Sequence, residues 1–94
     1  MIKLNDNDIM RDGVKIGWVT KNHFFNSSGK KVGYATLDKI YDENAVKLAH
    51  VDGEYVYYNT ADGKKTKIET LIEDIAAPYL SNVQRVAIRM FFGN

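Results

Sequence analysis

The sequence predicts a mainly β fold with C-terminal helices (α+β), in which a repetitive antiparallel β-meander of short hairpins is capped by two short helices. Three observations predict this fold. One phrase of sixteen residues occurs three times without a gap, turn signals recur about every eight residues, and the hydrophobic period changes at Ile68 from two to about 3.6. We expect the 94 residues to form a single domain, with the meander over residues 1–68 and the helical segment over residues 69–94.

The three copies of the repeat begin at Gly13, Gly29 and Ala45. Each copy contains a lysine, an aliphatic residue, a small residue and a ring in succession, and an apolar residue followed by an aromatic ring near its end. A unit of this length is too short for a helical hairpin, but it accommodates two short strands and their turns. The matching columns are Lys15, Lys31 and Lys47; Ile16, Val32 and Leu48; Gly17, Gly33 and Ala49; Trp18, Tyr34 and His50; Phe24, Ile40 and Val56; and Phe25, Tyr41 and Tyr57.

The strands follow from the repeat and its turns. Asp-Gly pairs at 12–13, 52–53 and 62–63 predict tight turns, and the polar stretches 26–29 and 42–45 predict looser ones. Residues 3–11 are interpreted as a degraded extra copy, and Lys64-Lys65 as the start of an offset fourth. The small residues Gly17, Gly33 and Ala49 predict a bulge or bend at the same point of each copy. Strands are predicted at 8–11, 14–20, 23–26, 30–36, 39–42, 46–51, 54–59 and 64–68.

Two helices are predicted after the meander. The first has an apolar stripe of Ile68, Leu71, Ile72 and Ile75 and ends before Pro78. Ser81 and Gln84 form a capping box for the second, whose stripe continues through Val83, Val86, Ala87, Met90 and Phe91, with Gly93 at its C-terminal cap. We expect this stripe to pack against the sheet. The alternative is self-association through Met90, Phe91 and Phe92.

The composition narrows the classes of function. The net charge is +1 and is spread evenly along the chain, so it favours neither nucleic acid nor an anionic membrane as a partner. The chain has no cysteine, which excludes disulfides, thiolate metal sites and cysteine nucleophiles. Residues 1–8 lack the apolar segment of a signal peptide, and no apolar run approaches the length of a membrane span. We therefore expect a cytoplasmic protein without a membrane partner.

The unit Gly-x-Lys-(Ile/Val/Leu)-Gly-(Trp/Tyr), followed by an aromatic pair, resembles the small bacterial domain called the 4-fold beta flower. Residues 13–18 and 29–34 carry the resemblance, and residues 45–50 carry it more weakly because Ala49 and His50 replace the glycine and the aromatic ring. The resemblance covers residues 8–68. It implies a β-flower, in which short hairpins are arranged around a centre, and it implies no established activity.

The sequence does not predict an enzyme. It contains no nucleophile elbow and no phosphate-binding glycine loop. His23 and His50 do not occupy equivalent repeat positions and lack the spacing of metal ligands, and Asp6, Asp8 and Asp12 do not form a calcium-binding loop. We therefore expect no catalytic residue, no metal and no cofactor.

The predicted function is a small binding or interaction module, with a protein partner or a second copy of the chain as its partner. The candidate residues are the recurring rings and lysines: Trp18, Tyr34, His50, Tyr41, Tyr57, Lys15, Lys31 and Lys47. The rings could line a shallow surface or a central pocket, or they could form the core.

The alternative function is a module that binds single-stranded nucleic acid, because rings with flanking cations on a curved sheet are typical of such proteins. Strict strand alternation argues against this alternative. It predicts that Lys15 and Trp18, which are three residues apart, point to opposite faces of the sheet.

Overall fold

A computed structural model describes residues 1–93, which form one ten-stranded sheet and two helices. Nine strands are neighbours in chain order, and the tenth lies parallel to the first at the edge of the sheet. The mainly β fold with two C-terminal helices is confirmed. The elements are β1 Ile2–Asn5, β2 Asp8–Arg11, β3 Val14–Thr20, β4 His23–Asn26, β5 Lys31–Thr36, β6 Lys39–Asp42, β7 Lys47–Asp52, β8 Tyr55–Tyr58, β9 Lys65–Lys67, α1 Ile68–Ile72, β10 Ile75–Ala76 and α2 Asn82–Phe92.

All eight predicted strands are present, as β2 to β9, and the predicted ends lie within one residue of the observed ones. The degraded copy at residues 3–11 contributes β1 and β2, which pair as a hairpin. Because the repeats form consecutive hairpins, every neighbouring pair from β1 to β9 is antiparallel.

A β-bulge occurs at the same point of each of the three copies. In the first copy Ile9 pairs with Gly17 and Met10 pairs with Lys15, which leaves Ile16 as an extra residue in β3. The pairings of β4 with β5 and of β6 with β7 shift in the same way, at Val32 and Leu48. The bulge predicted from the small residues Gly17, Gly33 and Ala49 is confirmed, since the extra residue directly precedes each of them. Each extra residue reverses the alternation of the side chains that follow it.

The core lies between α2 and the inner face of the sheet, which we define as the face that carries the column Ile9, Phe24, Ile40 and Val56. These four side chains have no solvent exposure. Helix α2 begins with the predicted capping box of Ser81 and Gln84 and ends at Gly93, as predicted. The buried side chains of α2 are Val83, Val86, Ala87, Ile88 and Phe92.

The last turn of α2 packs against the small-residue column of the repeat. Phe92 covers Gly17 and Phe91 covers Gly33, so closely that a Cβ at either glycine would collide with the ring above it. Met90 and Phe91 also pack against the core. The predicted packing of the second helix against the sheet is therefore confirmed, and these three residues contact their own chain.

The first helix is shorter than predicted. Helix α1 ends at Ile72, and Ile75 lies in β10, where it pairs with Ile2. The prediction that Ile75 continues the helical stripe is wrong. The reason is tertiary: Ile75 is buried as a strand residue beside β1, and the Ile2 N–H donates to the Asp74 carbonyl at 3.1 Å. No helix among residues 1–93 has the length and apolar character to cross a bilayer.

Arg89 of α2 connects the two helices and the segment between them. Its Nε donates to the carbonyl of Leu71 at 2.8 Å, and its terminal nitrogen forms an ion pair with the Asp74 carboxylate. The hydrogen bond from Arg89 is the main reason that the pKa of Asp74 lies below its ordinary value. The side chain of Asp74 is 51% exposed, which keeps this interaction weak.

We expect Asp74→Asn to lower the free energy of unfolding at neutral pH by up to about 1 kcal/mol. Because the pKa of Asp74 is depressed in the folded state, its contribution is present above the unfolded pKa and is lost as the pH falls through the folded value. The difference between wild type and Asp74→Asn should therefore shrink as the pH falls below the ordinary aspartate pKa of 3.8 and disappear once Asp74 is protonated in the folded state. Urea denaturation at several pH values checks this, with Glu73→Gln as the control. A difference that persists at acidic pH would contradict the assignment.

The wider loops that join the copies share one construction. After β4, the side-chain oxygen of Asn26 accepts hydrogen bonds from two backbone N–H groups of the loop, and after β6 Asp42 does the same. Gly29 and Ala45 occupy the equivalent position, with φ of +89° and +63°. Only the second of these loops places a side chain in the left-handed region, which is unfavourable for L-residues.

We expect Ala45→Gly to stabilise the protein by about 0.5–1 kcal/mol. Left-handed geometry costs an alanine about 1–2 kcal/mol, and the greater freedom of glycine in the unfolded chain offsets about 0.4–1 kcal/mol of the gain. Gly29→Ala is the mirror experiment and should destabilise. A Cβ at Gly29 meets only the Trp18 ring at 3.7 Å, an ordinary contact, so the backbone is the cause. Urea denaturation measures the free energy of unfolding of both variants. A change of the same sign in the two variants, relative to wild type, would be incompatible with this explanation.

A candidate binding surface on the outer face of the sheet

The outer face is the side of the sheet opposite the core, and it carries three rows of side chains. Each row crosses four neighbouring strands through directly paired residues. Two rings occupy the middle of each row, and a lysine occupies its last position. The first row is Asp8, Trp18, Phe25 and Lys31; the second is His23, Tyr34, Tyr41 and Lys47; the third is Lys39, His50, Tyr57 and Lys65.

The two rings of each row stack on each other across β3–β4, β5–β6 or β7–β8. Their centroids are 5.4 Å apart for Trp18 with Phe25, 4.9 Å for Tyr34 with Tyr41, and 5.2 Å for His50 with Tyr57. The planes of each pair are within 14° of parallel. Stacked cross-strand pairs of this kind stabilise a sheet and fix the orientation of the rings.

Three lysines lie over rings of the outer face. The ammonium group of Lys15 lies 4.9 Å from the centroid of Trp18, and that of Lys31 lies 4.7 Å from the centroid of Tyr34. At the other end of the surface, Lys65 lies 4.6 Å from Tyr55. These distances are in the range of cation–π contacts. The first and second rows therefore interlock, because the lysine that ends the first row lies over the first ring of the second.

The prediction that Lys15 and Trp18 point to opposite faces is wrong. Ile16 is the extra residue of the bulge, so the alternation reverses between Lys15 and Trp18 and both side chains reach the outer face. Lys31 and Tyr34 share one face for the same reason. The main argument from strand alternation against a cationic aromatic surface therefore does not hold in this fold.

The outer face is strongly cationic although the chain as a whole is nearly neutral. Its strand positions carry seven lysines and two aspartates, an excess of five positive charges, whereas the whole chain has a net charge of +1. Most acidic residues lie in turns or in the helical segment. The seven lysines are Lys3, Lys15, Lys31, Lys39, Lys47, Lys65 and Lys67, and the aspartates are Asp8 and Asp52.

Two of these lysines have acidic neighbours at the surface. Lys15 forms an ion pair with Asp8 and Lys39 with Asp38, each at 3.1 Å. The hydrogen bond from Lys39 is the main reason that the pKa of Asp38 is lowered. The side chains of both pairs are 41–53% exposed, so the ion pairs are weak and a competing anion can displace them.

All eight candidate residues from the sequence lie on this outer face. The structure brings Trp18, Tyr34 and His50 into the rows with Tyr41 and Tyr57, and none of these five rings belongs to the buried core. The rings therefore lie on an open face, and α2 occupies the inner side. Sequence reasoning missed further members of the rows, of which Phe25 was visible as a repeat column and Lys65 was hidden by the offset of the fourth copy. The missed residues are Asp8, His23, Phe25, Lys39 and Lys65.

Comparisons with protein-family models, with curated protein sequences and with solved structures find no match to this chain. The resemblance to the 4-fold beta flower family therefore stays a prediction. The candidate surface is defined by the geometry of this chain alone.

Proposed function

We propose that this protein is a non-enzymatic binding module and that the outer face of its sheet binds an anionic partner. The observation that carries the proposal is the one-sided distribution of charge, with seven lysines against two aspartates on a face that also holds three stacked ring pairs. A concentrated patch of one sign attracts oppositely charged partners and speeds their association, even when the net charge is close to zero.

The rings contribute by holding the cations in place. A free lysine side chain samples many rotamers, and fixing them opposes binding. The contacts of Lys15 with Trp18 and of Lys31 with Tyr34 confine these side chains to the outer face before a partner arrives. Confinement to this face removes part of the entropic cost of bringing the ammonium groups to a partner's anionic groups.

The non-enzymatic part of the proposal is supported by the titrating groups. The pKa of each of three surface carboxyls, Asp38, Asp62 and Asp74, lies below its ordinary value, mainly because a neighbouring side chain donates a hydrogen bond to it. A carboxyl shifted in this direction is a poor general acid or base at neutral pH. We place this binding role in the cytoplasm of a bacterium, as part of the same proposal.

Chromatography on a phosphate-bearing cation exchanger tests the role of the face. Lys15→Ala/Lys31→Ala/Lys47→Ala removes three lysines from the outer face. Lys21→Ala/Lys30→Ala/Lys64→Ala removes the same charge from turns and is the matched control. We expect the outer-face variant to elute at clearly lower salt than the control variant. Elution of both variants at the same salt concentration would show that the outer face is not the binding surface.

A protein partner or a second copy of the chain is the second candidate, and Leu37 favours it. This leucine is 88% exposed at the β5–β6 turn and has a φ of +55°, so it is unfavourable both for solvation and for backbone geometry. Unfavourable features of this kind are frequent at functional positions. Sedimentation of wild type and Leu37→Asn over a range of concentrations tests self-association. If Leu37 mediates it, the apparent mass should rise with concentration in wild type and stay constant in Leu37→Asn.

A further inference from the structure

We propose that the anionic partner is single-stranded nucleic acid, whose bases replace lysine ammonium groups on the faces of Trp18 and Tyr34. This inference rests on the proposed function, since it names the ligand of the same surface. It is carried by the contacts of lysines with rings: each of these two rings stacks on a neighbouring ring and also has a lysine ammonium group over it, 4.9 Å from the centroid of Trp18 and 4.7 Å from that of Tyr34.

The geometry around Trp18 shows how the exchange would proceed. Phe25 on β4 stacks against one face of the indole, while the ammonium group of Lys15 lies over the ring and is bonded to Asp8 on β2, the opposite neighbour of β3. When a phosphate group attracts Lys15, the ammonium group leaves the indole and uncovers that face. A base can then stack where the ammonium group was.

The energetic comparison favours the exchange. A cation–π contact at an exposed site contributes a factor of about two to five to an equilibrium constant, whereas a base stacked on an aromatic side chain contributes a factor of about five to 150. The lysine also gains a phosphate contact, with release of counterions. For Lys15, the exchange therefore replaces a cation–π contact and an exposed ion pair, both weak, with a stacked base and a phosphate contact, each of equal or greater strength.

The same argument favours a single strand over a duplex. The bases of a duplex are paired and stacked on each other, so their faces are not accessible to Trp18 or Tyr34. A single strand presents free base faces and bends to follow successive rows. The rows repeat every two strands, which corresponds to about 9.5 Å across the sheet. Beyond the first row, a groove continues over β1, β2 and the turn after β2, and its lining includes one lysine and one aspartate: Met1, Lys3, Asn5, Met10, Asp12 and Gly13.

Fluorescence anisotropy with a labelled oligothymidylate of about 20 nucleotides tests the inference, with a duplex of equal length and heparin as competitors. We expect the single strand to bind at least about tenfold more tightly than the duplex. The logarithm of the association constant falls linearly with the logarithm of the salt concentration. In Lys15→Ala/Lys31→Ala/Lys47→Ala this fall should become less steep by about two, because each lost phosphate contact removes about 0.7 from the magnitude of the slope. The turn variant Lys21→Ala/Lys30→Ala/Lys64→Ala should keep the wild-type slope.

Two further readouts report on base stacking directly. Trp18 is the only tryptophan of the chain, so its emission should be quenched by the oligonucleotide and much less by heparin, which has no bases. Asp8→Asn removes the only acidic side chain of the three rows and should raise the affinity for the single strand. An increase in affinity cannot result from loss of folding.

The outcomes separate the two proposals. Equal affinity for single strand, duplex and heparin, with no change in Trp18 emission, would overturn the assignment to single-stranded nucleic acid and leave an anion-binding face. If the outer-face variant and the turn variant elute at the same salt concentration and bind the oligonucleotide with the same affinity, the outer face is not the binding surface. Tight binding of the single strand with Trp18 quenching and a gain in Asp8→Asn supports both.

Discussion

Gly33→Ala is expected to destabilise the fold by about 3 kcal/mol, at the upper end of the cost of overpacking a core. A Cβ at this position would overlap the carbonyl oxygen of Tyr41 and the ring of Phe91, whose Cε1 would be 2.9 Å away. The Phe91 ring could move, but the carbonyl belongs to the strand paired with β5. Relief therefore requires the separation of two hydrogen-bonded strands, which is why the cost is high.

The repeat supplies the controls for this prediction. Gly17→Ala should be as damaging, because its Cβ would overlap the Phe25 carbonyl and lie 2.7 Å from Phe92 Cε1. Ala49 fills the same column of the third copy and is fully buried, so its copy already accommodates a Cβ. Ala49→Gly should therefore cost only about 0.5–1 kcal/mol, the usual penalty for glycine in a strand. Urea denaturation followed by Trp18 emission measures all three.

A double variant tests the explanation further. Phe91→Leu removes the ring that contacts Gly33 but leaves the strand carbonyl in place. We expect Gly33→Ala to remain destabilising in this background, with a smaller cost than in wild type. A cost of Gly33→Ala below about 1 kcal/mol in wild type would mean that the strands separate easily and that the close approach is not needed.

The strands were predictable because the repeat fixes them three times over. A strand placed wrongly at Phe24 would also be wrong at Ile40 and Val56, so each placement has to satisfy three copies. The turns at both ends of each copy then determine where each strand begins and ends. The capping box at Ser81 was predictable for a different reason, since it depends on local contacts between residues three apart. The features that could be predicted are those determined either by the repeat or by contacts between residues close in sequence.

The predictions that failed depend on contacts between distant parts of the chain. Ile75 fits the helical period of Ile72, and only the position of β1 makes a strand more favourable for it. The face of Lys15 depends on a bulge. Gly17 predicts a bulge or bend at this point, but the pairing of β2 with β3 determines which residue is extra and therefore which face Lys15 occupies. Counting in steps of two is valid only between bulges.

The near-zero net charge of the chain concealed the cationic face in a similar way. Lysines recur once per copy just before the bulge, and acidic residues occur in most of the turns, so residues 1–67 carry eleven basic and nine acidic residues that nearly cancel. Folding separates the two sets, because the strands place the lysines on the outer face and the turns lie at the ends of the sheet. The charge pattern that matters for binding is therefore a property of the repeat period.

Phe24→Ala is expected to destabilise the protein by about 3–5 kcal/mol. Phe24 has no solvent exposure, pairs with Val19 and Gly33 on the inner face, and its ring lies 5.7 Å from the ring of Phe91. Truncation would leave a cavity beneath the last turn of α2. A domain of this size has about 5–14 kcal/mol of stability in total, so this one change approaches the limit for folding.

The neighbouring residue is the matched control for Phe24. Phe25 lies on the outer face and stacks on Trp18, with part of its ring exposed, so Phe25→Ala should cost only about 1 kcal/mol. Phe24→Leu, at about 1–1.5 kcal/mol, keeps the comparison measurable if Phe24→Ala does not fold. Equal costs at Phe24 and Phe25 would contradict the assignment of the two faces. The expected asymmetry means that the inner face determines folding, while the outer-face rings and lysines can be changed, and binding measured, in a folded protein.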